Sequence, residues 1–472
     1  MLRHSLVYIG IFVALAGLAL AFLAQRYWFA RVWRLGGLIH DKKTRKAIRG
    51  ALLGLVFIVF ITALAGVLRN MQGTISRGSL WTAFLALWLV SSIVSYILIK
   101  IVVAVDWIWR RSRAASSPPL ENLDEAAAST SAPWRTDRTD RLEQSLDPPR
   151  DGSVDRSTDH AVDHAVDRSR RHFFHVAGVI AGAVPFISAG YGFVEERFQY
   201  RVREITIPVA NFPRALDGMR ITQLSDIHAG SFMPISQVAR AVDMANDLGG
   251  DLLVVTGDFI STRSDPLEDC IAELSRLRAP LGVWGCNGNH EVYARAEAKS
   301  AELFHRHGMK LLRQENAEVR WQGSSINLIG VDYQSQNDEE QNRAPMLIGA
   351  ESLVRGDIPN ILLSHNPNSF PRAAELGIEL SLAGHTHGGQ VRVEILDHRW
   401  SPAEFLTPYV AGEFHRPLHS PSRLSDEEVY STPGIQQVSS SALYVNCGLG
   451  TIGAPVRLGV PPEITLITIR CA

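Results

Sequence analysis

Five short clusters of Asp, Asn and His recur through the second half of this 472-residue chain, each just beyond an apolar run of strand length: Asp226 with His228, Asp258, Asn289 with His290, His365, and His385 with His387. Met219 to Leu224, Leu252 to Thr256, Gly282 to Cys286, Ser325 to Val331, Ile361 to Leu363 and Leu380 to Ala383 read as strands. Between them Ile235 to Leu248, Pro266 to Leu277 and Ala294 to His307 read as helices, the first with Val238, Ala241, Val242 and Met244 at helical spacing. From about Arg201 to Ala472 this alternation predicts an α/β domain. If the strands share a sheet, their C-terminal edges bring the polar clusters to one rim, where open α/β sheets commonly bind ligands.

Taken singly, an Asp-x-His in a loop is most often a cap and a Gly-Asp most often a turn. Gly288-Asn289-His290-Glu291 is more specific, and Gly384-His385-Thr386-His387-Gly388-Gly389 more so, because two imidazoles one residue apart among glycines suit close approach to a metal. Mixed carboxylate, amide and imidazole donors without thiolate favour Mn, Fe or Zn over Ca. Two such cations about 3.5 to 4 Å apart can share a hydroxide, lower its pKa and hold a phosphoryl oxygen for in-line attack. The expected reaction is therefore hydrolysis of a phosphate ester.

In these residues the chain resembles the calcineurin-like metallophosphoesterases over about residues 218 to 469. That resemblance implies two sheets packed as a sandwich with flanking helices. It also implies one metal held by Asp226, His228, Asp258 and His387 and a second held by Asp258, Asn289, His365 and His385, with Asp258 bridging. His290 matches the family's histidine that faces the leaving group, with Glu291 as its orienting partner. Asp258 and His290 are accordingly the expected catalytic residues. The family usually has an Asp three residues beyond the Gly-Asp, where this chain has Ser261, a departure that touches support around the ligands. The tail, Asn446-Cys-Gly-Leu-Gly-Thr451 with Pro455-Val-Arg457 and Pro461-Pro462-Glu463-Ile464, is similar to the branch containing bacterial membrane-linked phosphodiesterases.

The first part of the chain is of another kind. Ser5 to Ala24, Ala51 to Leu68 and Leu80 to Val105 are apolar runs, and about 20 residues of helix match a hydrocarbon core of about 30 Å. Only Lys100 interrupts them, near enough to one end to reach headgroups. Residues 1–111 are thus expected to hold three transmembrane helices. The first connection carries Arg26, Arg31, Arg34, Lys42, Lys43, Arg45, Lys46 and Arg49, which places it inside. Residues 112–171, rich in Ser, Asp, Arg and Pro with a small His-Ala-Val-Asp repeat, read as a disordered linker. Residues 172–194 read as a fourth spanning helix, or alternatively as an interfacial one. Its Arg170-Arg171-His172-Phe173-Phe174 lead resembles a twin-arginine signal, and because the basic flank and the segment's length agree with export, residues 201–472 are expected on the non-cytoplasmic side of a bacterial cell membrane.

A net charge of -1 draws the chain to no nucleic acid, so the expected partners are the lipid bilayer and a phosphoester, lipid-linked substrates included. Cys270, Cys286, Cys447 and Cys471 have no metal-ligand spacing, and free thiols are expected ahead of disulfides. The expected function is a membrane-tethered two-metal phosphoesterase for a phosphodiester, pyrophosphate or phosphomonoester. The alternative is a membrane transporter or sensor whose metal fold binds ligand without hydrolysing it.

Overall fold

Runs such as Leu252–Thr256, aliphatic at nearly every position, suit strands buried on both faces, because each side chain then finds an apolar neighbour. In the computed structural model, residues 2–37, 40–51, 53–54, 80–116, 156–334, 346–395, 398–418 and 440–471 are described. Strands β1 (Arg201–Val209), β2 (Arg220–Leu224), β3 (Leu252–Thr256), β4 (Val283–Cys286), β5 (Lys310–Leu311) and β14 (Glu463–Cys471) form one sheet in the order β1-β14-β2-β3-β4-β5. A second sheet runs β12 (Gly412–Pro417), β13 (Ser440–Val445), β9 (Leu380–Ala383), β8 (Asn360–Leu363), β7 (Ser324–Gly330) and β6 (Glu315–Trp321). A short antiparallel hairpin, β10 (Val393–Ile395) with β11 (His398–Trp400), stands apart.

Both sheets are mixed. Strands β2 to β5 are parallel, as are β7, β8, β9 and β13, while β14 runs antiparallel to β2. Strand side chains alternate between faces. Ile221, Leu252, Val254 and Ile467 of the first sheet meet Ile326, Leu328, Ile361, Leu363, Leu380 and Leu382 of the second. Leu253 and Val255 turn the other way, onto Val238 and Val242 of the helix Ile235–Asp247 and Ile271 and Leu274 of the helix Leu267–Leu274. Beyond the second sheet Ile329 and Leu362 pack with Ala373 and Ile378. Each side chain buried this fully contributes about 1.5–3 kcal/mol, and Leu363→Ala between the sheets would cost about 2–5 kcal/mol.

The layers are helix, sheet, sheet, helix, as the resemblance implies. The strands that precede the polar clusters do not share one sheet: β2, β3 and β4 lie in the first, and β8 and β9 in the second. Two strands with the same pattern of burial look alike in sequence whichever sheet they join.

The chain divides into two units, residues 1–45 with 89–187 and residues 46–88 with 188–472. The helix α1 (Leu2–Gly36) covers the first apolar run, and α2 (Leu80–Ser116) the third. Most of the second run lies outside the described residues. The helix α3 (Arg156–Val194) begins well before residue 172, so helix continues into what reads as linker, and residues 117–155 lie outside the description. Among the described residues two stretches, Ala83–Ser112 and Arg168–Phe198, are long and apolar enough to cross a membrane by length and composition. Small residues join the helices of this unit. The Ser95 and Ser91 hydroxyls donate to the carbonyls of Gly182 and Pro185, at 2.9 and 3.3 Å, and Gln25 donates to Ser92 at 2.6 Å. Such contacts satisfy polar groups within a helix pair.

Candidate metal centre

Every candidate ligand sits on a turn leaving the end of a strand. Asp226 and His228 follow β2, Asp258 follows β3, Asn289 opens a short helix after β4, His365 follows β8, and His385 and His387 follow β9. The turns hold each other. The amide of Asp226 donates to Gly257 and that of His228 to Asp258, at 3.0 and 2.9 Å. The amide of Gly384 donates to His365 at 3.1 Å. Gln223 joins the two sheets at this end, donating to Thr256 at 3.1 Å and to the Ala383 carbonyl at 3.0 Å.

Asp226, His228, Asp258, His385 and His387 all have positive φ. A non-glycine residue held there is strained by about 1–3 kcal/mol, and such strain gathers at functional sites. Close approach needs glycine here. A Cβ on Gly288 would lie 2.2 Å from Asp258 Oδ1, and one on Gly384 would lie 2.2 Å from Asp226 Oδ2.

The donors converge in overlapping groups: Asp226, His228 and His387; His228, Asp258 and His290; and Asp258, His365 and His385. Asp258 Oδ2 lies 3.5 Å from His228 Nε2 and 3.1 Å from His365 Nε2. His387 Nε2 is 3.3 Å from Asp226 Oδ1 and 3.1 Å from His228 Nε2. Asn289 Oδ1 lies 2.8 Å from His385 Nδ1. All seven predicted ligands are therefore brought together.

These atoms fit a cation. His365 Nδ1 donates to the Thr256 carbonyl at 2.6 Å. A carbonyl only accepts, so a neutral His365 turns the lone pair of Nε2 toward the carboxylates. In that form the atom is buried with no hydrogen-bond partner among the described residues and faces Asp258 Oδ2 at 3.1 Å, an arrangement that is repulsive unless positive charge lies between. Burial lowers His228 to about 3 and His385 to about 4, and holds His387 well below its ordinary value. Imidazoles kept neutral this way are the form that binds metal. Burial opposes the charge on Asp258, yet His365 and His228 outweigh it and hold this carboxyl below its usual range. Burial raises Asp226 to about 6, opposed by His365. For His365 burial favours the neutral ring, but Asp258 and Asp226 prevail and raise it to about 10. Two carboxylates with one imidazolium make the protein itself supply a positive charge where a cation would sit.

Glu291 does not orient the His290 ring. Its carboxylate accepts from the amides of Asp258, Phe259 and Gly288 at 2.9, 2.8 and 2.8 Å. Being third in the helix Asn289–Ala294, it reaches back over that helix start and across to the Asp258 turn. His290 Nδ1 donates instead to the Ser261 carbonyl at 2.7 Å. The Ser261 hydroxyl lies 2.9 Å from His228 Nδ1. The residue that departs from the usual family pattern thus holds two histidines.

Several neighbours went unread in the sequence. Tyr333 lies beside the His385 and His365 rings, with centroids 5.4 and 6.3 Å away, and burial raises its hydroxyl to about 12. It lies three residues beyond β7, so the strand-then-turn rule would have found it. Asp332 accepts from Asn287 at 2.7 Å and from Arg313, bracing the approach to Gly288. Arg457 is wholly buried and donates to the carbonyls of Cys447, Gly448, Gly450 and Val460. The loop it gathers donates in turn from Leu449 and Gly450 to the carbonyls of Ser225 and Asp226. All four cysteines are free, and burial raises Cys447 well above its ordinary range, so it is a neutral thiol packed against Gly388.

Residues 219–389 match the family model for calcineurin-like phosphoesterases. The chain is similar to a "transmembrane protein with metallophosphoesterase domain" of Danio rerio, 30% identical across 62% of this chain and 63% of that protein. A bovine protein of the same name is 29% identical across 57% of each. The chain thus spans less than two thirds of the length of either animal relative. An uncharacterized metallophosphoesterase of Bacillus subtilis is 27% identical across 64% of this chain and 98% of its own length. Among solved structures, a Thermus thermophilus protein, TT1561, overlaps 49% of this chain and 90% of its own, at 15% identity and a TM-score of 0.31. The relatives named as transmembrane proteins and the two apolar helices together point to membrane association. The family implies divalent metals, in keeping with the clustered donors, all of which lie within the stretch that matches the calcineurin-like phosphoesterases.

Proposed function

We propose that this protein is a membrane-tethered phosphoesterase with two divalent cations, acting on a phosphodiester or pyrophosphate at the bilayer in preference to a phosphoprotein. The observation that carries the reading is the position of Asp258, whose Oδ2 lies within 3.5 Å of imidazole nitrogens from both sides of the centre. One carboxylate so placed suits two cations at once. Asp226, His228, Asp258 and His387 would hold the first, and Asp258, Asn289, His365 and His385 the second. Mn, Fe and Zn suit this donor set. When bound, such a pair lowers the pKa of water, neutralises phosphoryl charge and aligns attack with departure.

The remaining chemistry belongs to the chain. His290 is fixed through Nδ1 to the Ser261 carbonyl. Its Nε2 is then the ring nitrogen left to face the departing oxygen, to which the imidazolium form gives a proton. Asp226 accepts from the His385 amide through both oxygens at 3.0 Å, which keeps the two sheets' turns in register. The catalytic unit would face the non-cytoplasmic side, on the basic flanks of the apolar segments. Protease access to the C-terminus in intact cells tests that placement. The catalytic reading is tested with the full-length chain, loaded with Mn and offered a chromogenic diester, a monoester and pyrophosphate. Hydrolysis that Asp258→Asn abolishes is expected, and no hydrolysis of any of the three would overturn the reading.

A further inference from the structure

Beside the metal centre a loop holds two large apolar side chains in water. Phe405 and Leu406 are each 86% exposed, more than any other large hydrophobic among the described residues. The loop is anchored on both sides to ligand-bearing turns. Ser401 and Ala403 lie against Gly389, two residues beyond His387. Thr407 donates to Asn368 at 2.7 Å, three residues beyond His365, and Thr386, between His385 and His387, donates to the Val410 carbonyl at 2.6 Å. Ser401 caps the tip, accepting from the Ala403 amide at 3.3 Å, while Glu404 accepts from the Ser401 amide. Val393 and Trp400, directly opposite each other in the β10–β11 hairpin leading into this loop, are also exposed.

An apolar tip held this firmly beside a site marks an interaction surface. The end of the second candidate span names its partner. From Ser188 onward that helix belongs to the catalytic unit. Its Gly192 carbonyl accepts from the Arg457 amide at 3.3 Å, and the Glu196 carboxylate accepts from Gly459 at 2.7 Å. Leu458, between these two, exchanges main-chain hydrogen bonds with Gln390 and Arg392 at 2.8 Å each. Gln390 and Arg392 join the His387 turn to β10. The end of that helix, from Ser188, is thus tied through Leu458 to Gln390 and Arg392, next to the Gly389 on which Ser401 and Ala403 of the tip rest.

We propose that Phe405 and Leu406, with Val393 and Trp400, dip into the headgroup region of a bilayer and present the metal centre to phosphoesters borne by lipids. Aromatic and aliphatic side chains favour that interface. The catalytic half of this inference rests on the phosphoesterase reading, while the membrane contact does not.

The test uses the full-length chain in phosphatidylcholine–phosphatidylglycerol nanodiscs. Two esters share one leaving group: soluble bis(p-nitrophenyl) phosphate, and the p-nitrophenyl diester of dioleoyl phosphatidic acid embedded in the disc. Phe405→Ser with Leu406→Ser is expected to lose about tenfold or more on the lipid ester, from the apolar burial forfeited, and to keep the soluble rate. Equal loss on both esters, no loss on the lipid ester, or a wild type that cleaves only the soluble ester would overturn the proposal. A fluorophore on Phe405→Cys, in a Cys471→Ser background, is expected to be quenched by spin-labelled lipid while one on Glu302→Cys is not. Absence of that difference also overturns it. If the wild type cleaves neither ester, the phosphoesterase reading fails, and the quenching still decides the membrane contact.

Discussion

The two sheets contribute unlike things to the centre. From the first come both carboxylates, the Asn289 amide and one imidazole of the candidate ligand set, His228; from the second come three, His365, His385 and His387. The first sheet's turns are bound together by a shared carboxylate, Glu291, which accepts amides from the Asp258 turn and from Gly288. The second sheet's turns lean on the first through few bonds, chiefly His365 to Thr256 and the His385 amide to Asp226. One side sets the carboxylates and their spacing, and the other surrounds them with imidazoles.

That contrast can be broken at either side. Asp258→Asn, which removes the charge nearest both groups of donors, is expected to lower kcat/KM about a thousandfold, equivalent to about 4 kcal/mol. Added Mn should not rescue it. His365→Ala and His387→Ala are expected to weaken metal binding about a hundredfold each, and here excess Mn should restore much of the rate. Because protons compete with cations for these imidazoles and carboxylates, the Mn needed for half-maximal rate should rise as the pH falls. If all three variants respond to Mn alike, the two sides are equivalent and the contrast fails.

Smaller effects sharpen it. Glu291→Gln turns one acceptor oxygen into an NH2 facing main-chain amides, and is expected to cost about 1–3 kcal/mol in denaturant unfolding. Ser261→Ala removes a hydroxyl from His228 Nδ1 but keeps the carbonyl that holds His290. Its expected effect is the smallest, about 0.5–1.5 kcal/mol in transition-state stabilisation. A loss on the scale of Asp258→Asn would mean that Ser261 touches the reaction itself.

Much of the first sheet and the convergence of the candidate ligands was legible because burial and turn chemistry coincide in short windows. Leu252–Thr256 and Leu380–Ala383 match β3 and β9 at both ends, being apolar runs closed by Gly257 and Gly384. The outer strands were not readable in the same way. Arg201–Val209 carries alternating charges and a proline, as an edge strand can, and its pairing with β14 joins residues at opposite ends of the unit. Nor does local pattern tell which of two sheets a buried strand enters, so a single rim was expected where two sheets share the centre. Glu291 was misread through adjacency. It follows His290 in the chain, but one step around a helix start turns its carboxylate back toward Gly288 and away from the imidazole. Arg457 was visible only as part of a tail motif, since nothing in its neighbours says that four carbonyls would converge on it.

In the proposed centre one carboxylate, that of Asp258, would sit between two cations. Electron paramagnetic resonance of the Mn-loaded full-length chain tests it most directly. A spin-coupled pair is expected in the wild type, lost in Asp258→Asn. A spectrum of isolated ions in the wild type, or coupling that survives the substitution, would contradict it.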